Sequence, residues 1–166
     1  MFSKILTFVS LLLIFFLCVG SDCKKSTEPK GPYYEGICRT DTAGNIIEDD
    51  TTDWQPRIDS MLPTDLLGVS PPFPNPCSDQ ITFVYYLATN MKVEIEVYSK
   101  PDKLEVILLS SYQSGGNHQY IWDLKDASGN YLENGIYRVY IKATTYTGKE
   151  YESYGDIQIE RCTPLK

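Results

Sequence analysis

From residue 68 onward, apolar and polar positions alternate with a period of two. Val93, Ile95 and Val97 alternate with Lys92, Glu94, Glu96 and Tyr98 in the clearest such run. Successive side chains of a strand point to opposite faces, so this pattern predicts a strand with one buried and one wet side. Ile81, Phe83, Tyr85 and Leu87 alternate in the same way with Thr82, Val84 and Tyr86. Further strands are predicted over residues 104–110, 118–123, 136–145 and 150–160, the last two as a hairpin turning at Tyr146-Thr147-Gly148-Lys149. Ser114-Gly115-Gly116-Asn117 and Ser128-Gly129-Asn130 read as turns. Gly129 and Gly135 sit where a reversing chain needs positive φ, which a residue with a Cβ adopts only at a cost. Short strands separated by turns, without an amphipathic helix, predict an all-β fold: an antiparallel β-sandwich of about seven strands.

Ahead of that region the pattern breaks up. Residues 34–39 read as a strand, Asp41-Thr42-Ala43-Gly44-Asn45 as a turn and Ile46-Ile47 as the start of a returning strand. This unit is too short to bury a core and is expected to dock on the main domain. Glu48-Asp49-Asp50-Thr51-Thr52-Asp53 concentrates hard oxygen ligands, but without the spacing or terminal Glu of an EF-hand loop, so it reads as a solvated acidic loop. Residues 55–68 read as a connector. Pro71-Pro72-Phe73-Pro74-Asn75-Pro76-Cys77 is too rich in proline for a central strand and suits an extended edge segment.

The N-terminus changes the setting. Lys4 is followed by an apolar run from Ile5 to Val19, short for a membrane span, which needs about 20 residues, and typical of an export signal. Gly20-Ser21-Asp22-Cys23 resembles the lipobox of bacterial lipoproteins, in which the cysteine is lipidated and becomes the first mature residue; Asp22 departs from the usual small residue. The resemblance implies a membrane anchor made of acyl chains, with each buried CH₂ worth about 0.8 kcal/mol. Lys24 and Lys25 after the cysteine suggest the outer membrane. The alternative is ordinary signal cleavage that leaves Cys23 to pair. The domain reading is therefore a signal at 1–22, a tether at 23–32, a hairpin extension and connector at 33–67, and the sandwich at 68–166.

Charge and cysteines narrow the partners. The net charge is −7 and is unchanged by removal of residues 1–22, which carry Lys4 and Asp22. An acidic surface argues against nucleic acid. Apart from Cys18 and Cys23, the cysteines are Cys38, Cys77 and Cys162. Cys77 and Cys162 are the expected disulfide pair, because the first and last strands of many sandwiches run side by side. Cys38 is left over. No cysteine or histidine spacing suggests a metal site, and no cofactor is expected.

Pro74-Asn75-Pro76, the strands 81–87 and 93–98, Gly115-Gly116-Asn117-His118 leading to Trp122-Asp123, Gly129-Asn130 and Gly135-Ile136-Tyr137 occur in a recognisable order. Together they resemble the immunoglobulin-like domain of flagellar hook-capping proteins and the C-terminal sorting domains of type IX secretion. The resemblance covers residues 68 to 160 and implies an immunoglobulin/fibronectin III-like sandwich without catalytic function; Cys77 replaces the aromatic usual after Pro-Asn-Pro. Within it Trp122 and Tyr137 are expected in the core, and Asp123 in a turn held by hydrogen bonds.

No enzyme is expected. His118 is the only histidine, without an evident nucleophile and orienting carboxylate, and Glu94 and Glu96 with Lys92 read as the wet side of a sheet. Tyr33, Tyr34, Tyr98, Tyr112, Tyr140 and Tyr146 are predicted on outward faces or loops, where tyrosine is enriched in recognition surfaces. The expectation is a lipid-anchored protein of the bacterial cell envelope that meets the membrane through its anchor and another envelope protein through its domain. The alternatives are a type IX sorting domain, or a carbohydrate-binding module using Tyr98 and Tyr140.

Overall fold

The run with the clearest alternation becomes an inner strand of the larger of two sheets. The computed structural model describes residues 34, 36–101 and 103–161. The elements are β1 (Arg39–Thr40), β2 (Ile46–Glu48), a 3-10 turn (Ile58–Ser60), β3 (Leu67–Phe73), β4 (Ile81–Leu87), β5 (Met91–Lys100), β6 (Lys103–Gln113), β7 (Gly116–Trp122), β8 (Gly135–Thr144) and β9 (Glu150–Ile159). β3-β4-β7 form one antiparallel sheet and β6-β5-β8-β9 the other, with β1-β2 as a separate hairpin. These seven strands make an all-β sandwich in the immunoglobulin-like order, with β6 joined to the larger sheet.

The period-two patterns decide which faces meet. Met91, Val93, Ile95 and Val97 are fully buried, as are Ile81, Leu87, Val139 and Ala143 from neighbouring strands. Between these faces lie Phe83, Tyr85, Ile141, Ile157 and Ile159. Trp122 and Tyr137 belong to the same core; the Trp122 indole donates to Lys125 O at 2.9 Å, and the Tyr137 hydroxyl donates to Glu133 O at 2.9 Å, four residues upstream. That bond is the tyrosine corner common in such sandwiches.

Three turns share one design. In residues 41–45, 126–130 and 145–149 the first residue's amide donates to the fifth residue's carbonyl, and a glycine amide returns a bond to the first residue's carbonyl. The side chains of Asp41, Asp126 and Thr145 accept from the fifth residue's amide. Gly44, Gly129 and Gly148 take φ of 85°, 84° and 83°, the left-handed region that glycine enters without strain.

Several expectations need correction. Gly135 has no positive φ; it opens β8 opposite Ile159, while Leu124 (φ 62°) and Gly129 make the reversal. Asp123 pairs with Lys125 Nζ at 2.6 Å, and Asp126, three residues on, accepts the amides of Ser128 and Asn130 in the turn that follows. The strand expected at 34–39 shrinks to Arg39–Thr40, because the carbonyl of Cys38 is taken by the Asn75 side chain. β3 begins at Leu67, inside the expected connector, and β7 begins at Gly116, inside the expected turn.

The segment before β3 packs along and closes one side of the sandwich. Trp54 N donates to Tyr154 O on the edge of β9, and Val69 N on the edge of β3 donates to Pro56 O. Between those two bonds the Trp54 indole enters the core, fully buried, with its ring centroid 6.3 Å from that of Phe83. It stands on Gly155, where any Cβ would collide with the indole. Lower on the same side, Cys77 pairs in parallel with Ile159.

Asn75 joins these pieces. Its backbone exchanges hydrogen bonds with Thr40, its side-chain amide donates to Cys38 O (2.9 Å) and Asp156 O (3.1 Å), and its side-chain oxygen accepts from Gln158 N (2.9 Å). The residue is fully buried, so each partner would otherwise be stranded without water. Asn75→Ala is expected to lower the unfolding free energy by about 3–5 kcal/mol, since each stranded buried group costs about 1–3 kcal/mol. Urea unfolding checks this, and a loss under about 1 kcal/mol would show that the side chain is dispensable.

Candidate functional site

The groups singled out in the sequence are largely occupied by one another. His118 points inward on β7 opposite Tyr85, stacks on its ring at 5.2 Å and bonds Ser114 O at 2.6 Å. No carboxylate or nucleophile is among its hydrogen-bond partners. Glu94 binds Lys92 and Ser110, and Glu96 binds Lys142 and the Tyr98 hydroxyl. In the acidic loop, the Arg57 guanidinium holds the Asp49 carboxyl below the usual carboxylate range, and the hydroxyl and amide of Thr52 do the same for Asp50. Among the described residues no three His, Cys, Asp or Glu side chains gather as a metal site would require.

The tyrosines expected on the surface stand in different settings. Tyr98, Tyr140 and Tyr154 form a ladder across the outer face of β5-β8-β9, with centroid separations of 5.5 and 5.8 Å and interplanar angles of 85° and 47°. Lys142 lies over the Tyr140 ring and Arg138 over the Tyr154 ring. Crossed rings under cations are a satisfied surface, unlike the open parallel platform that a sugar ring stacks on. Tyr112 and Tyr146 stand exposed, whereas Tyr34, expected outside, is buried against Arg138, its ring centroid 4.6 Å from the guanidinium carbon. Tyr33 lies outside the described residues, as do Cys23 and Cys162.

Arg138 ties that ladder to the N-terminal segment. It forms a two-pronged ion pair with Asp156, at 2.8 and 2.9 Å, while Asp156 N donates to the Asp53 carboxylate at 2.8 Å. Both carboxylates are almost fully buried. Burial pushes Asp53 up to about 6, with the Asp156 and Asp50 charges adding to it; burial also raises Asp156, against the pull of Arg138.

Among the described residues, the outer face of the smaller sheet is left with open grooves. Val84 and Tyr86 of β4 point outward there, opposite Gln119 and Asn117 of β7. One groove, of about 410 Å³, runs over Val84 between the β1-β2 turn and the 3-10 turn, lined by Ala43, Ile46, Ile58, Pro71 and Phe73. A second, of about 480 Å³, lies beside Tyr86 and is lined by Ile58, Met61, Leu62, Pro63 and Ala88. Met61 packs onto Gly68, where any Cβ would strike its sulfur. Ile46 in the first lining and Leu62 in the second are exposed, Leu62 at 64%, and Ile121 is exposed on β7 opposite Thr82.

Sequence reasoning did not select this face, although a signal was present. Both sets of positions in residues 81–87 are apolar or nearly so, which a strand with a wet outer side does not need. The walls come from the 43–46 turn and the 58–65 loop, and no local pattern places those over β4.

No family model matches the sequence, and no curated protein matches it. Among solved structures, FlgD from P. aeruginosa is 23% identical with a TM-score of 0.41 over 48% of this chain; the match spans 61% of that structure. The PmoD soluble domain from a Methylocystis species is 11% identical with a TM-score of 0.40, over 60% of this chain and 94% of that one. Likenesses this distant carry no argument about function, and the sandwich rests on its own strand order.

The Asp53 site gives a pH prediction. An acid whose folded pKa is raised is favoured in its protonated form, so its contribution is fully present below the unfolded value near 4. It is lost as pH rises through about 6. Asp53→Asn keeps an oxygen to accept from Asp156 N and is expected to gain stability over the native protein at pH 7 but not at pH 4. Urea midpoints at the two pH values measure this; an equal effect at both would place the burden elsewhere.

Proposed function

We propose that the chain is a non-enzymatic, lipid-anchored protein of a bacterial cell envelope that presents its sandwich to another envelope protein. The observation that carries this reading is the grooved apolar face over Val84 and Tyr86, left open by the described residues. The lipobox-like Gly20-Ser21-Asp22-Cys23 supports attachment at Cys23, and the lysines after it support the outer membrane. Among the described residues no helix is long and apolar enough to cross a membrane.

The integration of residues 53–57 favours this reading over a removable sorting domain. A cut before residue 68 would withdraw Trp54 from the core and leave the edges of β3 and β9 bare. The ladder of Tyr98 and Tyr140, covered by Lys142 and crossed by neighbouring rings, favours a protein partner over a glycan.

The Cys77–Cys162 bridge belongs to the same proposal, as expected for an oxidising compartment. Cys77 N donates to Gln158 O and Glu160 N donates to Cys77 O, which brings Cys77 beside the chain two residues before Cys162. Burial pushes the Cys77 thiol up to about 12, so an unbridged Cys77 would be inert to alkylation in the folded protein.

The test is the full chain recovered from its native membranes after photo-crosslinking from a benzoylphenylalanine placed at Ile121. Non-reducing digestion and mass spectrometry are expected to find an acylated Cys23 terminus, a Cys77–Cys162 peptide and one discrete protein adduct. A probe at Thr144, on the larger sheet, is expected to give no adduct. A lipid-free terminus would remove the anchor, reduced Cys77 and Cys162 the bridge, and adducts equal at both probes the partner face.

A further inference from the structure

Three features of the apolar face bear on what fills it. The floors of its two grooves are residues 84 and 86 of one strand, pointing the same way. Two residues along a strand span ~6.8 Å, which is also the distance between alternate side chains of an extended peptide lying alongside it. Ile58 lines both grooves and separates them, so the face offers two seats and not one trough.

The rim has a sign. Asp59 borders the first groove and Asp65 the second. The one basic side chain in either lining, Arg57, gives its two terminal nitrogens to Asp49 and to the carbonyl of Asp50, while its Nε has no partner among the described residues. A ligand seated here meets two apolar pockets, one bordered by Asp59 near Arg57 and the other by Asp65, whose carboxylate accepts only from Leu62 N among the described residues, on a chain whose net charge is −7. Complementary charge steers encounter and rejects acidic competitors.

We propose that this face binds an extended peptide segment of the partner protein, with two apolar side chains at positions i and i+2 seated in the two grooves and lysine or arginine on either flank. The inference rests on the partner-face reading above and deepens it by naming what the face accepts. Alternate side chains supply specificity, as they do in other recognition of extended peptides. The neighbouring free edge of β7, with Asn117 and Gln119 on the same face, runs beside the second groove and offers polar groups to the peptide backbone.

The test uses the mature-length chain and four fluorescein-labelled peptides. The first is Lys-Lys-Ser-Phe-Ser-Leu-Ser-Lys-Lys. The others carry the same two apolar residues adjacent, or spaced i and i+4, or in the original order with glutamate in place of lysine. Fluorescence anisotropy is expected to show the first binding at least tenfold tighter than each of the others. Val84→Lys, which fills the first floor with a cation, and Leu62→Lys, an exposed change that leaves the fold intact, are each expected to weaken it at least tenfold. Tyr112→Lys on the other sheet is expected to leave it unchanged. Preference for the i and i+4 peptide would make the occupant a helix and overturn the proposal, as would equal binding of all four or binding indifferent to Leu62→Lys. If the crosslink from Ile121 is found but the peptide preference is not, the partner face stands and the extended-peptide assignment falls.

Discussion

The side chain of Asn75 is the constraint on which the remaining arrangement depends. Its hydrogen bonds reach the N-terminal segment at Cys38 and the last strand at Asp156 and Gln158, while its backbone pairs with Thr40. These partners lie 35 or more residues away along the chain in either direction. Nothing but a buried amide, with two donors and an acceptor on one short side chain, meets two carbonyls and an N–H at one point. Once Asn75 is in place, the chain at Cys77 lies along Ile159, and the segment ahead of β3 is drawn against the same side of the sandwich. Trp54 and Gly155 then complete the closure, the indole occupying the space that the missing Cβ leaves.

Much of the sandwich was legible because its strands obey local rules. The alternation at 91–97 names the buried face of β5, and the Asp-x-x-Gly-Asn pattern at 41–45 and 126–130 names turns whose bonds are made within five residues. What was not legible depends on distant partners. Gly135 was read as a turn glycine with positive φ, yet it opens β8, and Asn134 before it spends its side chain on the backbone of Arg161. Tyr34 was read on an outward face or loop, but Arg138, supplied by β8, covers it. The Pro74-Asn75-Pro76 motif was visible as a motif, whereas the role of its asparagine required the positions of β1 and β9.

The two outer faces of the sandwich differ in kind. On the larger sheet the charges alternate in sign, and the ladder of Tyr98, Tyr140 and Tyr154 is capped by Lys142 and Arg138, so the surface satisfies itself. On the smaller sheet the outward positions of β4 are apolar, and the loops that flank them leave grooves instead of covering them. The N-terminal segment contributes both to the closure of one side and, through Ile58 and Met61, to the walls of those grooves. Fold closure and the walls of the grooves therefore share one stretch of chain.

That coupling is tested most directly by asking whether the N-terminal segment unfolds with the strands. The chain has two tryptophans, Trp54 and Trp122. In a Trp122→Phe variant, Trp54 fluorescence reports the segment alone while far-ultraviolet circular dichroism reports the sheets. The two urea transitions are expected to coincide within error, because Asn75 and Trp54 make segment and sandwich one cooperative unit. A Trp54 transition at clearly lower urea, with the strand signal intact, would show that the segment merely rests on a sandwich that stands without it.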